Sequence, residues 1–440
     1  MKLPARRRFA GVTPLRGQTL PQNARVHRAP HPVRLVVRDD LERRRLTVVL
    51  RLLLAIPHLI WVSLYGAAAL VVAAITWLIV LVRGTVPRSL HRFLANYTRY
   101  TVHLTAYLCL AASPYPGFSG DGSYPIDVEI DPPARQRRLG AAVRLILALP
   151  ALVLSSALAG SALLAAVAAI GAGGLVVTIA MLGWFACLAH GRMPRGMRDA
   201  AAYAIGYGAQ TTAYTLLVTD RYPDSTPGRA DPPPELPAHP VSIVVADELR
   251  RPRLLVLFRF PLVIPHLLWI TAWSAFAIAA WVVAWLAALV TGRVPRPLHR
   301  FLAAYVRALT HLLAFLYVVG RQFPGFVGRE GGYPIDLRIA APVRQRRLGV
   351  LVRLLLALPA LLLSSAYGGV ALVVAVLGWI AALATGRMPA GLRDLGAASL
   401  RYQAQVNAYL FLLTWRYPDS SPVLVGRVDP TLEETTVVPA

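Results

Sequence analysis

Lysine is absent after Lys2, and the 46 basic residues face only 21 acidic ones. Only 15% of the chain is charged, which excludes an ordinary soluble surface. The two cysteines, Cys109 and Cys187, form no CxxC pair, so they read as small buried hydrophobes and not as a disulfide framework or zinc site. No GxSxG, Walker or dinucleotide-binding fingerprint occurs, which removes the common nucleophile and nucleotide chemistries. Aspartate and glutamate are missing from the long apolar runs, so paired carboxylates for acid–base work would have to come from elsewhere. Residues 1–30 carry no apolar h-region, and no cleavable signal peptide is expected.

What the chain has instead is apolar length. Residues 52–82, 145–189, 260–290 and 354–384 contain no Asp, Glu, Lys or Arg, and each exceeds the roughly 20 residues that cross a bilayer. The expected class is a membrane protein, predominantly α-helical. A net charge of +25 would suit nucleic acid, but the arginines flank apolar segments instead of building a soluble basic domain. Interface anchoring on anionic membrane lipids explains them better, and no nucleic-acid partner is expected. The acid-free tail with Lys2, Arg6, Arg7, Arg8, Arg16, Arg25 and Arg28 favours a cytoplasmic N-terminus.

The chain is a tandem duplication. "HPVRLVV" at 31–37 returns as "HPVSIVV" at 239–245, and "VPRSLHRFLANY" at 86–97 as "VPRPLHRFLAAY" at 294–305. The boundaries read as a basic tail (1–30), a first half (31–228), a Pro-rich linker (229–238), a second half (239–424) and a C-terminal tail (425–440), both tails taken as disordered. Each half divides again, into quarters at about 31–122, 123–228, 239–331 and 332–424. In every quarter an arginine (Arg51, Arg144, Arg259, Arg353) precedes by six residues a proline (Pro57, Pro150, Pro265, Pro359). A long apolar run, a Gly/Arg/Pro turn and a second, less apolar helix follow.

Each quarter opens on a period-two stretch: Val33, Leu35 and Val37; Ile126, Val128 and Ile130; Val241, Ile243 and Val245; Ile335, Leu337 and Ile339. These are expected to be short strands that pair outside the bilayer, within a half or across halves. The fold class is thus four repeats of a short β-strand plus a kinked helical hairpin. The succession "YPIDVEI", "RLILALP", "GRMPRGMRD", "AYTLLVTDRYPDS" resembles a bacterial membrane-protein family catalogued as domain of unknown function 4389, in tandem copies from His31 to Pro422. The resemblance implies a multi-pass location in a bacterial cell (inner) membrane and no chemistry. Trp415, standing where the pattern has the Asp220 type, departs from it.

Residues 52–82 would extend about 46 Å as a straight helix, more than the roughly 30 Å hydrocarbon core, so a break at Pro57 is expected. Two topologies fit. In the favoured one both helices of each quarter span and all strands share the cytoplasmic side, giving about eight crossings. In the other, the long run dips in and returns, and the second helix lies on the surface. The second quarter carries 14 extra residues with Gly171, Gly173 and Gly174, which either extend the helix or turn the chain.

Arg51, Arg144, Arg259 and Arg353 are candidate lipid or anionic-ligand contacts, because a guanidinium fork suits phosphate; the plain alternative is snorkelling to the head groups. His58 with His266, His91 with His299, and His103 with His311 form no HxxxH or HExxH pair, and no metal is expected. Gln403 and Asn407, four apart on the last helix, are candidate polar intramembrane residues together with His58 and His266. Asp127 and Asp336 are the strand carboxylates a lipid-modifying enzyme would use, and they fit solvent-facing positions equally well. Arg198-Asp199 and Arg393-Asp394 read as helix-start charge arrangements. The expectation is a non-enzymatic membrane scaffold or lipid-interacting module without a cofactor. A transporter working between two parallel repeats is the alternative.

Overall fold

A computed structural model describes residues 30–120, 124–160, 174–227 and 239–422. The expected linker, the C-terminal tail, nearly all of the N-terminal tail, and Gly171 and Gly173 lie outside these residues. The first half comprises β1 (Val33–Val37), α1 (Arg45–Arg83), α2 (Arg88–Leu108), β2 (Ile126–Ile130), α3 (Arg138–Ala142), α4 (Arg144–Ala159), α5 (Leu175–His190) and α6 (Arg195–Thr215). The second half repeats the plan as β3 (Val241–Val245), α7 (Arg253–Leu257), α8 (Arg259–Thr291), α9 (Arg296–Leu316), β4 (Ile335–Ile339), α10 (Arg347–Leu351), α11 (Arg353–Thr385) and α12 (Ala390–Leu410).

The four alternating stretches are strands, paired antiparallel within each half: Val33 opposite Ile130 and Val37 opposite Ile126, then Val241 opposite Ile339 and Val245 opposite Ile335. The prolines break no helix. Pro57, Pro150, Pro265 and Pro359 all lie inside continuing helices. The interruption comes earlier in three quarters, at Val143, Phe258 and Val352, directly before the recurring arginine. In the second quarter the chain leaves α4 at Gly160 (φ 86°) and re-enters α5 at Gly174, which packs against Gly160. The two 16-residue pieces together fall one residue short of the 33 residues of α11.

The expected spanning hairpins need correction. Only α1, α8 and α11 are long and apolar enough to cross a membrane among the described residues. Within a half the two hairpins also run in opposite senses. Gly191, in the second quarter's turn, accepts from Arg43 N at the open end of the first hairpin (2.8 Å), and Gly84 accepts reciprocally from Gln136 N (2.9 Å). Gly386 with Arg251 and Gly292 with Gln345 repeat this at 2.8 Å each. The sheets therefore lie alongside the helices, not beyond their ends. Arg99 Nε donates to Val128 O from the middle of α2 (3.1 Å), and Gln210 Nε2 to Val33 O from α6 (3.1 Å). The strands therefore do not stand at the helix ends, where the favoured topology put them.

A tryptophan seven residues before each turn glycine ties the quarters together. Trp77 donates to Ala141 O (2.9 Å), Trp184 to Val48 O (3.2 Å), Trp285 to Val350 O (3.2 Å) and Trp379 to Val256 O (3.0 Å). Each bond reaches the entrance of the other quarter in the same half. The halves meet where α11 packs on α4 and α5. Leu154, Leu158 and Ile179 pack there in one core with Leu363, Val370 and Val374, all buried. This explains why 39% of the apolar window of α11 is buried, against 17% in α1 and α8.

Candidate functional site

Every second helix ends on a non-glycine residue in the left-handed region: Leu110 (φ 60°), Leu217 (60°), Val318 (62°) and Leu412 (62°). That conformation costs about 1–3 kcal/mol each and bends the chain so that several carbonyls converge. A helix C-terminus leaves four carbonyls without intrahelical donors and carries partial negative charge. The recurring arginines meet this need. Arg51 Nη1 donates to Tyr107 O (2.6 Å) and Ala112 O (3.1 Å), and its guanidinium stacks 4.3 Å from the Tyr107 ring centroid. Arg144 bonds Tyr214 O (3.1 Å) and Thr219 O (2.7 Å), and Arg353 bonds Tyr409 O (2.8 Å) and Thr414 O (3.0 Å). Arg259 bonds Phe315 O and Gly320 O and lies 4.2 Å from the Phe315 centroid.

All four arginines are buried, at no more than 5% exposure. The expectation of guanidinium groups reaching lipid heads, whether by snorkelling or as ligand contacts, is replaced. Their donors are turned inward because the left-handed turn supplies acceptors inside the protein. Eight residues earlier stands a second donor that sequence reading missed. Arg43 Nε bonds Leu110 O (2.9 Å), Gln136 Nε2 Leu217 O (2.6 Å), Arg251 Nε Val318 O (3.2 Å) and Gln345 Nε2 Leu412 O (2.7 Å). Its signal was present in the constant spacing of Arg or Gln before the marked arginine. The Trp-to-Gly spacing was equally legible.

The histidines separate by role. His58 is fully buried, bonds Tyr100 Oη (2.9 Å) and stacks on Phe118; His266 bonds Pro324 O (2.8 Å) and stacks on Phe326. Each stays inside its own quarter. Gln403 and Asn407 are half-buried on α12, with Gln403 near Gly368 of α11. These four expected polar residues are not brought together. His91 and His299 face carbonyls of Val218 (3.2 Å) and Leu413 (3.4 Å).

His103 and His311 make charged-strand contacts. His103 Nε2 lies 2.8 Å from Asp127 Oδ1, with Arg99 Nε at 3.5 Å; His311 and Arg307 repeat this on Asp336 at 2.8 and 3.6 Å. Asp127 and Asp336 are thus held against the helices and do not sit free in solvent. Burial alone would raise their pKa values, but the histidine bond, backbone N–H donors and the nearby charge outweigh it and hold both carboxyls below the ordinary value. Among the described residues no group of three or more His, Cys, Asp or Glu is arranged to hold a metal ion.

A cavity of about 400 Å³ opens beside β1 and α6, with Gly206, Tyr203, Gln210 and Asp224 in its wall. Arg198 and Asp199, the expected helix-start pair, line it too and bond each other at 2.7 Å.

The sequence profile of a family described as a domain of unknown function (DUF4389) matches residues 45–119, 253–327 and 347–420. These are the hairpins of the first, third and fourth quarters, each ending beyond its left-handed turn. The second quarter, whose long helix is interrupted, is not matched. No curated protein and no solved structure matches the chain.

Proposed function

Because the chain belongs to the family described as a domain of unknown function (DUF4389), we propose its role from its surface: a lipid-seated membrane scaffold, with the long first helices of each quarter immersed and the sheets in water. One observation carries this reading. The exposed large apolar side chains crowd onto α1, α4, α5, α8 and α11 and the short helices before them, whereas α2, α6, α9 and α12 contribute none. Leu52, Leu53, Ile60, Leu64, Leu70 and Val82 of α1 are each more than 60% exposed, which forms an apolar patch far beyond what a soluble monomer tolerates.

The sheet position argues for this seat over upright hairpins. A two-stranded ladder beside the middle of α2, carrying Arg34, Glu129 and Asp131, would meet hydrocarbon if the hairpins stood upright, where open strand edges have no partners. Exposed arginines at the helix ends, such as Arg44, Arg45, Arg83, Arg137 and Arg138, then lie where anionic head groups gather. The test uses single cysteines in a Cys109/Cys187-free background, reconstituted in sealed vesicles. An impermeant maleimide should label positions 129 and 338 from the same side and leave positions 53 and 268 unlabelled. Labelling of the two sheets from opposite sides, or ready labelling at 53 and 268, would sink the proposal.

A further inference from the structure

The position eleven residues before each left-handed turn carries Arg99, Gly206, Arg307 and Arg401 in the four quarters. Three arginines and one glycine occupy a structurally equivalent site. In the fourth quarter Arg401 is buried and Nη2 donates to the carbonyls of Ser421 and Asp419, the latter at 3.4 Å. The turn that holds it is fixed by Gln405, which accepts from Asp419 N (2.9 Å) and donates to Val241 O (2.9 Å).

The second quarter builds the same cradle. Gln210 accepts from Asp224 N (2.9 Å) and donates to Val33 O (3.1 Å), and Asp224 Oδ1 accepts from Thr226 N (3.0 Å) as Asp419 Oδ1 does from Ser421 N (3.1 Å). The cradle is therefore present and its arginine is not. Where the side chain of Arg401 lies in one half, the cavity beside Gly206 opens in the other. Its wall gains Tyr203, which stands where the second half has Ala398, and keeps Tyr207, the counterpart of Tyr402.

We propose that this cavity binds a small-molecule cation with a guanidinium head, taking the place that Arg401 fills from within the chain. Three charged side chains face it. Arg198 and Asp199 offset each other as an ion pair, so Asp224, exposed at the mouth and without an ion-pair partner among the described residues, sets the sign. Asp224 and Thr226 line it where Arg401 bonds the carbonyls of Asp419 and Ser421, and such acceptors beside the Tyr203 and Tyr207 rings suit a planar cation better than a compact ammonium. The glycine leaves room for the ligand and also for the natural control: a Cβ at position 206 would meet only Leu35, at 3.4 Å.

The test titrates detergent-solubilised full-length protein with methylguanidinium, methylammonium and neutral N-methylurea by calorimetry. Methylguanidinium should bind saturably at one site and more tightly than the other two. Gly206→Arg, which copies the fourth quarter, should abolish that binding while keeping the thermal transition, and Gly206→Ala should retain it. Asp224→Asn should weaken it by roughly ten- to a hundredfold, the worth of one charge-assisted contact. No saturable binding, equal binding of the urea, or undiminished binding by Asp224→Asn or by folded Gly206→Arg overturns the proposal.

Discussion

Arg144 and Arg353 hold the same place in two quarters and keep different company. Both give Nη1 to a pair of carbonyls at the end of the second helix and stack on the same kind of ring, Tyr214 or Tyr409. Their other nitrogens diverge. Arg144 Nη2 meets the Asp220 carboxylate at 2.5 Å, whereas Arg353 Nη2 meets Gln345 Oε1 at 2.7 Å, and Trp415 stands in place of the aspartate. Arg51 Nη2 takes a third backbone carbonyl, Ser113 O, and Arg259 divides its pair, Nη2 reaching Gly320 O. The constant element is the carbonyl pair under a ring, so the counter-charge these buried cations need comes chiefly from the helix C-terminus.

The sharpest way to break that comparison is to remove the arginine that has no carboxylate. Arg353→Ala should cost about 3–5 kcal/mol, since three charge-assisted bonds are lost, to Tyr409 O, Thr414 O and Gln345 Oε1, and the buried Thr414 carbonyl is left unsatisfied. Arg353→Lys should recover only part, because an ammonium cannot span both acceptors and stack. Thermal unfolding in micelles, followed by tryptophan fluorescence, reads both. If Arg353→Ala loses no more than the Asp220→Asn variant does, the carbonyl pair is not what holds the turn.

The donor eight residues upstream differs in kind between alternate quarters, and this sharpens the point. Arg43 and Arg251 carry buried aspartate partners, Asp39 at 2.6 Å and Asp247 at 2.5 Å, where Gln136 and Gln345 need none. Asp247→Ala should destabilise by about 3 kcal/mol, because it strands the buried Arg251 charge. Adding Arg251→Gln, the residue the second and fourth quarters use, should return most of the loss in the same unfolding assay. A double variant no better than the single one would show that the two kinds of donor are not interchangeable.

Acid titration reads the seam between alternate quarters, because the strand carboxylates of the second and fourth are held against histidines of the first and third. The folded pKa values of Asp127 and Asp336 lie below their unfolded values of about 3.9, so their contribution is fully present above that pH and is lost as pH falls through the folded values. The fall in midpoint between pH 5 and pH 3 should shrink in Asp127→Asn/Asp336→Asn. An unchanged acid limb would mean that other carboxylates govern it.

Much of the architecture is readable from one chain because repetition exposes it. The tandem offset, the four strands and the arginine before each proline need only spacing and alternation. The direction of the arginines was not readable, because it is set by acceptors that exist only after Leu110, Leu217, Val318 and Leu412 turn left-handed, and leucine and valine give no local sign of doing so. Pro57 does not mark a break, for a related reason. A proline inside a helix forfeits one hydrogen bond, and the flanking α2 packing holds α1 together through it, while the break in other quarters falls on ordinary residues such as Val143 and Phe258. The cavity beside Gly206 was within reach of comparison between quarters, since glycine replaces arginine at one of four equivalent positions.

The smallest expected effect tests whether the carboxylate beside Arg144 matters at all. The Asp220 side chain is about a third exposed (32%), so solvent screens its pairing with the buried guanidinium, and Asp220→Asn should cost no more than about 1 kcal/mol. The reciprocal change, Trp415→Asp, offers Arg353 the partner its counterpart has and should gain at most a similar amount, measured as a midpoint shift in the same micelles. The sign of the pair is the informative part. If the loss and the gain mirror each other, the carboxylate acts as an independent addition to a clamp that is already complete. If Trp415→Asp destabilises instead, the exposed indole at that position (61%) is itself seated on apolar surroundings, and the fourth quarter has exchanged an ion pair for an apolar contact.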